Sequence, residues 1–109
     1  MNAPVLPIAP SIDTIKRLCA GAFGVSMIDL ISHRRHDRIV TARWVAIWLT
    51  RRMTTLSTPV IGMHFGDRDH ATILHAVARM DRLLETDPEL RDLVSGIVAT
   101  LSMARRSVA

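Results

Sequence analysis

The sequence predicts an all-α fold, a compact bundle of about six helices that contains a helix-turn-helix. Apolar residues recur at helical spacing along most of the chain, and Gly, Pro and capping residues separate these stretches. No stretch alternates Val, Ile and Thr with polar residues as a strand would. With 109 residues, 49% of them apolar, the chain is expected to form one domain around one core.

The first two helices are predicted from their ends. Ser11 can cap a helix that Gly24 is placed to end. Cys19 lies in the apolar stripe of that helix and is expected to be buried, and a single cysteine excludes an intrachain disulfide. Ser26 and Asp29 are spaced as a capping box, which predicts a short second helix.

The third helix is predicted from about Ile39 to Met53. Its many apolar residues indicate the central, buried helix of the bundle, with arginines along its edges. A fourth, short helix is predicted with Thr58 as its cap and Pro59 in its first turn, and Gly66 is expected to end it.

The fifth helix is predicted to begin after Asp69 and to run to about Glu85. Its periodicity assigns a set of apolar residues to the core, namely Ile73, Leu74, Val77, Met80 and Leu84. The residues left on the other side are His70, Ala71, Thr72, His75 and Arg79. A short helix, a glycine-containing turn and a longer helix together predict a helix-turn-helix.

The sixth helix is predicted to start at Pro88, with an apolar stripe from Leu90 to Leu101. Residues 1–10 contain three prolines and no helical pattern, so they are expected to be disordered. The folded domain is therefore expected to span residues 11–103, followed by a flexible tail, residues 104–109.

Charge is distributed unevenly along the chain. The net charge is +4, yet residues 16–52 hold eight Lys and Arg against two acidic groups, whereas residues 53–109 hold six against seven. A basic surface attracts nucleic acid, although a solvated helix face or an anionic membrane would fit a similar composition. No segment resembles a secretion signal or a membrane span, so a cytoplasmic, nucleoid-associated protein is expected.

Two motifs favour duplex DNA as the partner. Residues 66–76 place Asp, His and Thr side chains on the opening turn of the fifth helix, where they can meet the edges of bases. Residues 32–38, here called the basic loop, carry three arginines and two histidines and can grip phosphates or enter a minor groove. The combination predicts a reader of double-stranded DNA.

These residues resemble the C-terminal DNA-binding domain, domain IV, of the bacterial replication initiator DnaA, a Trp-repressor-like helix-turn-helix domain. The hallmark of that family, Gly-Gly-Arg-Asp-His-Thr-Thr-Val-Leu-His-Ala, is matched by residues 66–76, and the likeness extends from about Ile12 to Leu101. Supporting matches are Asp29-Leu30, Arg34-Arg35, Ala42-Arg43, and Pro59 with Ile61-Gly62.

The resemblance implies roles for individual residues. Arg35 would enter the minor groove, Asp69 and His70 would contact bases in the major groove, and Pro59 would touch a thymine methyl. Phosphate or adjacent contacts are implied for Arg43, Arg51, Thr72 and His75. The full predicted DNA-binding set is Arg34, Arg35, Arg43, Arg51, Pro59, Arg68, Asp69, His70, Ala71, Thr72 and His75.

The chain departs from the family pattern where sequence is read. Ala71 replaces a threonine that contacts a base in the family, Trp44 stands where glutamine is usual, and His36 and Asp37 alter the basic loop. Loss of the hydroxyl at residue 71 is expected to change binding by about 1–3 kcal/mol at the matching base pair. The target is therefore expected to differ from the nine-base-pair initiator box.

Plainer interpretations remain open for single residues. Asp69 can be only a helix cap, and His70 and His75 can be ordinary exposed residues. Trp44 and Trp48 are expected to include at least one core residue, and the other could form a partner-binding surface if exposed. No phosphate-binding glycine loop or catalytic spacing is present, so a non-enzymatic protein with no cofactor and no metal is expected.

The expected function is sequence-specific double-stranded DNA binding by a transcriptional regulator, a role that the resemblance associates with phage-like or gene-transfer-agent genes. One alternative is a replication-control protein that competes for initiator boxes. Another is a protein-interaction module that keeps the fold without binding DNA. Expected partners are double-stranded DNA and RNA polymerase or another regulator, and the sequence leaves the oligomeric state open.

Overall fold

Six helices joined by short connections make up the part of the chain described by the structure, a computed structural model that covers residues 10–108, with side chains for residues 10–103. The helices are α1 (Ile12–Phe23), α2 (Met27–Ile31), α3 (Asp37–Met53), α4 (Thr58–His64), α5 (His70–Thr86) and α6 (Pro88–Val108). No strand occurs among these residues. The all-α prediction with six helices is confirmed.

The ends of α1 and α2 follow their capping residues. Ser11 Oγ accepts the Thr14 N–H at 3.1 Å, and Gly24 ends α1 in the left-handed conformation with φ 66°. The Ser26 hydroxyl and the Asp29 carboxylate each accept a backbone N–H of the other residue, at 3.0 and 3.1 Å. The predicted capping box is therefore confirmed, and it fixes the position from which the basic loop leaves α2.

Helix α3 is the centre of the molecule, as predicted, and it packs against α1, α2, α4 and α5. Helix α6 lies across α1 and α5. Cys19 of α1 is fully buried against this core, and burial raises the pKa of its thiol to about 12, so the thiol stays protonated. The Lys16 ammonium lies 5.1 Å from the centre of the Phe65 ring, which links α1 to the end of α4.

Several element boundaries differ from the predictions. Helix α3 begins at Asp37, two residues earlier than predicted. The prediction was late because the N-cap, His36, makes no side-chain capping bond and the apolar pattern starts only at Ile39. The cap of α4 is Ser57, whose Oγ accepts the Val60 N–H, and Thr58 is already helical. Helix α6 ends at Val108.

The inward face of α5 contains four of its five predicted residues, because Val77 and Leu84 pack partly buried against the core beside Ile73 and Met80. Ile73, Ala76 and Met80 are buried, whereas Leu74 is 47% exposed. A helix spanning one side of a small bundle buries only a limited stripe, and Leu74 lies beyond its edge.

The predicted disorder of residues 1–10 lies outside the described residues except for Pro10, which belongs to no helix. None of the helices within the described range is both long and apolar enough to cross a membrane.

Candidate nucleic-acid interface

The helix-turn-helix consists of α4, a tight turn at residues 65–69, and α5. Gly66 and Asp67 both have positive φ, 78° and 56°, which reverses the chain within a few residues. The Arg68 N–H donates to the Gly62 carbonyl at 3.0 Å, which closes the turn onto α4. Asp69 then caps α5 by accepting the Thr72 N–H at 2.9 Å, as predicted.

Two glycines allow the close packing that this turn requires. A Cβ on Gly62 would lie 1.9 Å from the Arg68 carbonyl oxygen, so α4 and the turn are in direct backbone contact. A Cβ on Gly66 would lie 2.2 Å from the Ile31 carbonyl oxygen, at the end of α2. The turn is therefore packed directly against the start of the basic loop.

Arg68 links the turn to the basic loop by hydrogen bonds. Its Nη2 donates to the Ser32 carbonyl at 2.7 Å, and its Nη1 donates to the Phe65 carbonyl. Burial lowers the pKa of the Arg68 guanidinium. The guanidinium thus joins the turn to the basic loop through two backbone carbonyls. The predicted DNA contact of Arg68 stays a prediction.

Arg43 fixes the other side of the basic loop. Its side chain is only 5% exposed, and Nε donates to the Leu30 carbonyl at 3.0 Å. Its Nη2 donates to the carbonyls of Asp29 and Arg34 at 3.0 and 3.1 Å. Burial, reinforced by the nearby charge of Arg68, lowers the pKa of Arg43 to about 10, which leaves it protonated at neutral pH.

The structure thus gives Arg43 a positioning role, because its buried guanidinium is bonded to three carbonyls, and its predicted phosphate contact stays a prediction. The positioning roles of Arg43 and Arg68 were not predicted from the sequence. A signal for Arg43 was present, since it stands inside the apolar part of the predicted central helix, where a charge must find partners in the protein.

The remaining predicted site residues are on the surface. All nine are exposed, namely Arg34, Arg35, Arg51, Pro59, Asp69, His70, Ala71, Thr72 and His75. Four of them, at positions 70, 71, 72 and 75, lie on the first two turns of α5. Arg35 lies in the basic loop, of which residues 37 and 38 form the first turn of α3. The outer side of the first two turns of α5, where bases would be contacted, is therefore exposed, and it lies beside an exposed cationic loop.

Arg34 and Asp69 are each tied to the local backbone or a local partner. Arg34 Nη1 bonds to Asp29 Oδ1 at 3.1 Å, with the Arg34 side chain 70% exposed. The bond from the Ser26 N–H, chiefly, lowers the pKa of Asp29, and the bond from the Thr72 N–H lowers that of Asp69. Asp69 is therefore ionised at neutral pH and can accept a further donor while it caps α5.

Both tryptophans of α3 are half-buried, at the edge where α3 meets α5. Trp48 Nε1 donates to Asp81 Oδ1 at 2.8 Å, and Arg52 Nη2 bonds to the same oxygen at 3.2 Å. The expectation that at least one tryptophan packs in the core is met only in part, because each keeps one side on the surface.

A short capped helix, a tight glycine turn and a longer exposed helix, bordered by a fixed arginine-rich loop, define a helix-turn-helix domain. The family model described as the bacterial DnaA protein helix-turn-helix matches residues 12–80. The chain therefore belongs to the bacterial DnaA helix-turn-helix family, and this membership implies that it binds DNA.

The similar proteins named chromosomal replication initiator protein DnaA cover most of this chain. The protein of Pelobacter propionicus is 40% identical over 87 residues, 80% of this chain and 19% of the relative. That of Caulobacter sp. strain K31 is 44% identical over 80 residues, 73% of this chain and 16% of the relative. That of Rhodopseudomonas palustris strain TIE-1 is 40% identical over 94 residues, 86% of this chain and 20% of the relative. The chain spans about a fifth of the length of these relatives.

Proposed function

We propose that this protein binds specific sequences in double-stranded DNA, with the start of α5 in the major groove and Arg35 in the adjacent minor groove. The observation that carries the proposal is the hydrogen bond of 2.7 Å between Arg68 Nη2 and the Ser32 carbonyl. This bond, with the close contact of Gly66 and Ile31, joins the basic loop to the turn from which α5 emerges. The cationic basic loop and the polar start of α5, held together in this way, can lie on either side of one sugar-phosphate strand.

The exposed residues divide into two roles under this proposal. Asp69 can accept from cytosine N4, His70 can pair with a base edge, and Ala71 can pack against a thymine methyl. Phosphate contacts from Arg34, Arg51, Thr72 and His75, and an apolar contact from Pro59, would set the register without reading much sequence. Arg35 would gain from the strong negative potential of a narrow A·T-rich minor groove.

We propose further that the bound protein acts as a transcriptional regulator at promoter sites, in association with the nucleoid and with RNA polymerase or another regulator as protein partner. A control of phage-like or gene-transfer-agent genes would be one form of this role. Occupation of a site is sufficient for such control, and the mechanism requires no chemical step on the DNA.

Competition for initiator boxes is the second candidate function. It is favoured by the identity of about 40% to replication initiators and by the matching run at residues 66–76. Against it stand Ala71 and Trp44, which replace residues usual in the family at the start of α5 and on α3. Selection of bound fragments from randomised duplexes separates the two, because a competitor would recover the initiator box and a regulator with altered contacts would recover another sequence.

The test of DNA binding itself is a salt titration. Binding of the wild-type protein to a random duplex and to a selected duplex would be measured by fluorescence anisotropy at several salt concentrations. A DNA reader that neutralises several phosphates loses affinity steeply, with a slope of about −0.9 per phosphate in a plot of log K against log salt. A protein-interaction module would bind neither duplex at physiological salt, and that result would overturn the proposal.

A further inference from the structure

One exposed stripe of α5 continues beyond His75 toward the middle of the helix. Thr72, His75 and Arg79 stand at positions i, i+3 and i+7, which places them on one face of the helix. All three are exposed. At 1.5 Å per residue, Arg79 lies about 6 Å beyond His75 along the helix axis. The helix face that carries the proposed DNA contacts Thr72 and His75 thus also carries the cationic side chain of Arg79.

Arg79 is ordered by an aromatic ring of the central helix. Its guanidinium carbon lies 5.9 Å from the centre of the Trp44 ring, a distance at which the two groups attract each other. Trp44 is half-buried and packs against the core, so its position is fixed. A guanidinium held against a ring keeps its N–H edges available to donate to two oxygens of a phosphate.

The neighbouring pair on α3 shows what distinguishes Arg79. The Arg52 guanidinium lies 5.5 Å from the Trp48 ring centre, but its Nη2 also forms an ion pair with Asp81. Within the described residues the ion pairs are those of Arg34 and Arg52, and Arg79 takes part in neither. Arg79 is therefore a positioned cation that forms no ion pair with a carboxylate of the described residues.

We propose that Arg79 binds a phosphate of the target duplex and that Trp44 positions it for this contact. The inference rests on the proposed function, since it extends the footprint of α5 by one backbone contact beyond His75. It also gives a reason for a tryptophan at residue 44, where the side chain acts through Arg79 rather than on a base.

The first test compares Arg79→Ala with Arg17→Ala by fluorescence anisotropy on the selected duplex. Arg17 is an exposed arginine of α1, beside α6, and its removal lowers the net charge equally. Loss of one charge-assisted phosphate contact is expected to weaken binding about tenfold and to reduce the salt slope by about 0.9 for Arg79→Ala. Arg17→Ala is expected to leave the slope at the wild-type value.

The second test asks whether Trp44 acts through Arg79. Trp44→Gln is expected to weaken binding several-fold in the wild-type background and to have no further effect when residue 79 is already alanine. Trp44→Phe, which keeps a ring face, is expected to retain most of the affinity. A tryptophan that only stabilises the fold would weaken binding equally in both backgrounds.

The failures of this inference and of the proposed function are distinguishable. If the wild type binds with a steep salt slope and Arg79→Ala matches it in affinity and slope, the phosphate contact of Arg79 is wrong and the proposed function stands. If the wild type itself shows no salt-dependent DNA binding, the proposed function is overturned and this inference with it.

Discussion

Four arginines of the helix-turn-helix and its neighbouring segments have different surroundings. Arg43 and Arg68 donate to backbone carbonyls and hold the basic loop, whereas Arg35 is exposed and Arg79 stacks on a tryptophan ring. A guanidinium has five donors in a rigid fork, so it can join several carbonyls as readily as it can grip a phosphate. Burial decides between these uses.

Removal of Arg35 is expected to weaken DNA binding strongly. Arg35→Ala takes an exposed guanidinium out of the proposed minor-groove contact, and we expect at least a tenfold loss of affinity for the selected duplex by fluorescence anisotropy. The matched variant Arg35→Lys keeps the charge and is expected to recover part of that loss. Wild-type affinity in Arg35→Ala would contradict the assignment.

Replacement of His70 is expected to reduce specificity more than affinity for random DNA. His70 is exposed on the first turn of α5, and a base contact is worth about 1–3 kcal/mol of discrimination. In His70→Ala the ratio of affinities for selected and random duplexes should therefore fall about tenfold. Arg51→Ala, a proposed phosphate contact, should weaken both complexes and preserve the ratio. An unchanged ratio in His70→Ala would remove its base-reading role.

Removal of Arg43 is expected to destabilise the fold. Arg43→Met removes the bond to the Leu30 carbonyl, which is buried, and the partly buried bonds to the carbonyls of Asp29 and Arg34, which should lower the free energy of unfolding by about 2–3 kcal/mol in urea titrations. The control Arg51→Met changes an exposed arginine of the same helix and should stay within about 0.5 kcal/mol of the wild type. Equal stabilities of the two variants would refute the positioning role of Arg43.

At the scale of elements, the helix-turn-helix depends on backbone contact rather than on side chains alone. Helix α4 is only seven residues long, too short to be stable in isolation, and it is held by its packing on α5 and by the hydrogen bond from Arg68 N–H to the Gly62 carbonyl. The predictions of helix starts succeeded where a side chain forms the cap, as at Ser11 and Asp69. They failed at His36, where no side-chain cap exists, and at Thr58, where the preceding serine is the cap.

Gly62 is expected to be required for the close packing of α4 against the turn of the helix-turn-helix. In Gly62→Ala the new Cβ would lie 1.9 Å from the Arg68 carbonyl oxygen, so the turn must move, at a cost of about 3 kcal/mol in unfolding free energy. Gly96→Ala on α6 is the control, because nothing lies within 4 Å of its added Cβ. That variant should gain about 0.5–1 kcal/mol from helix propensity. Tolerance of Gly62→Ala in urea titrations would show that the turn is not tightly packed.

At the scale of the whole molecule, three carboxylates accept hydrogen bonds that hold helix ends or neighbouring helices. Asp29 and Asp69 accept backbone N–H groups at the starts of α2 and α5, and Asp81 of α5 accepts from Trp48 of α3. These hydrogen bonds lower the pKa of each carboxylate. The chief donor is the Ser26 N–H for Asp29, the Thr72 N–H for Asp69 and the Trp48 indole for Asp81. A group whose pKa is lower in the folded state adds stability above its unfolded pKa and loses that stability as the pH falls through the folded value.

The melting temperature is therefore expected to fall as the pH drops below about 4, the ordinary range of Asp in an unfolded chain. Asp81→Asn cannot titrate, so its decline between about pH 4 and pH 2 should be shallower than that of the wild type in thermal unfolding followed by circular dichroism. Asp92→Asn on α6, which lies outside these three hydrogen-bond sets, is the control. Parallel curves for Asp81→Asn and the wild type would exclude Asp81 from the acid response.

The sequence by itself determined the helices, the central place of α3, the capping box of α2 and the motif that identifies the domain, because spacing and capping are local properties of the chain. The apolar surroundings of Arg43 in the sequence indicate partners inside the protein, but only the packing of α2 on α3 shows that these partners are the carbonyls of Asp29, Leu30 and Arg34. The tertiary structure alone brought Arg68 to Ser32 and Arg79 to Trp44, residues more than thirty positions apart. The physical reason is that the partners of a buried or stacked charge are chosen by the fold, whereas the start of a helix is chosen by its neighbours in sequence.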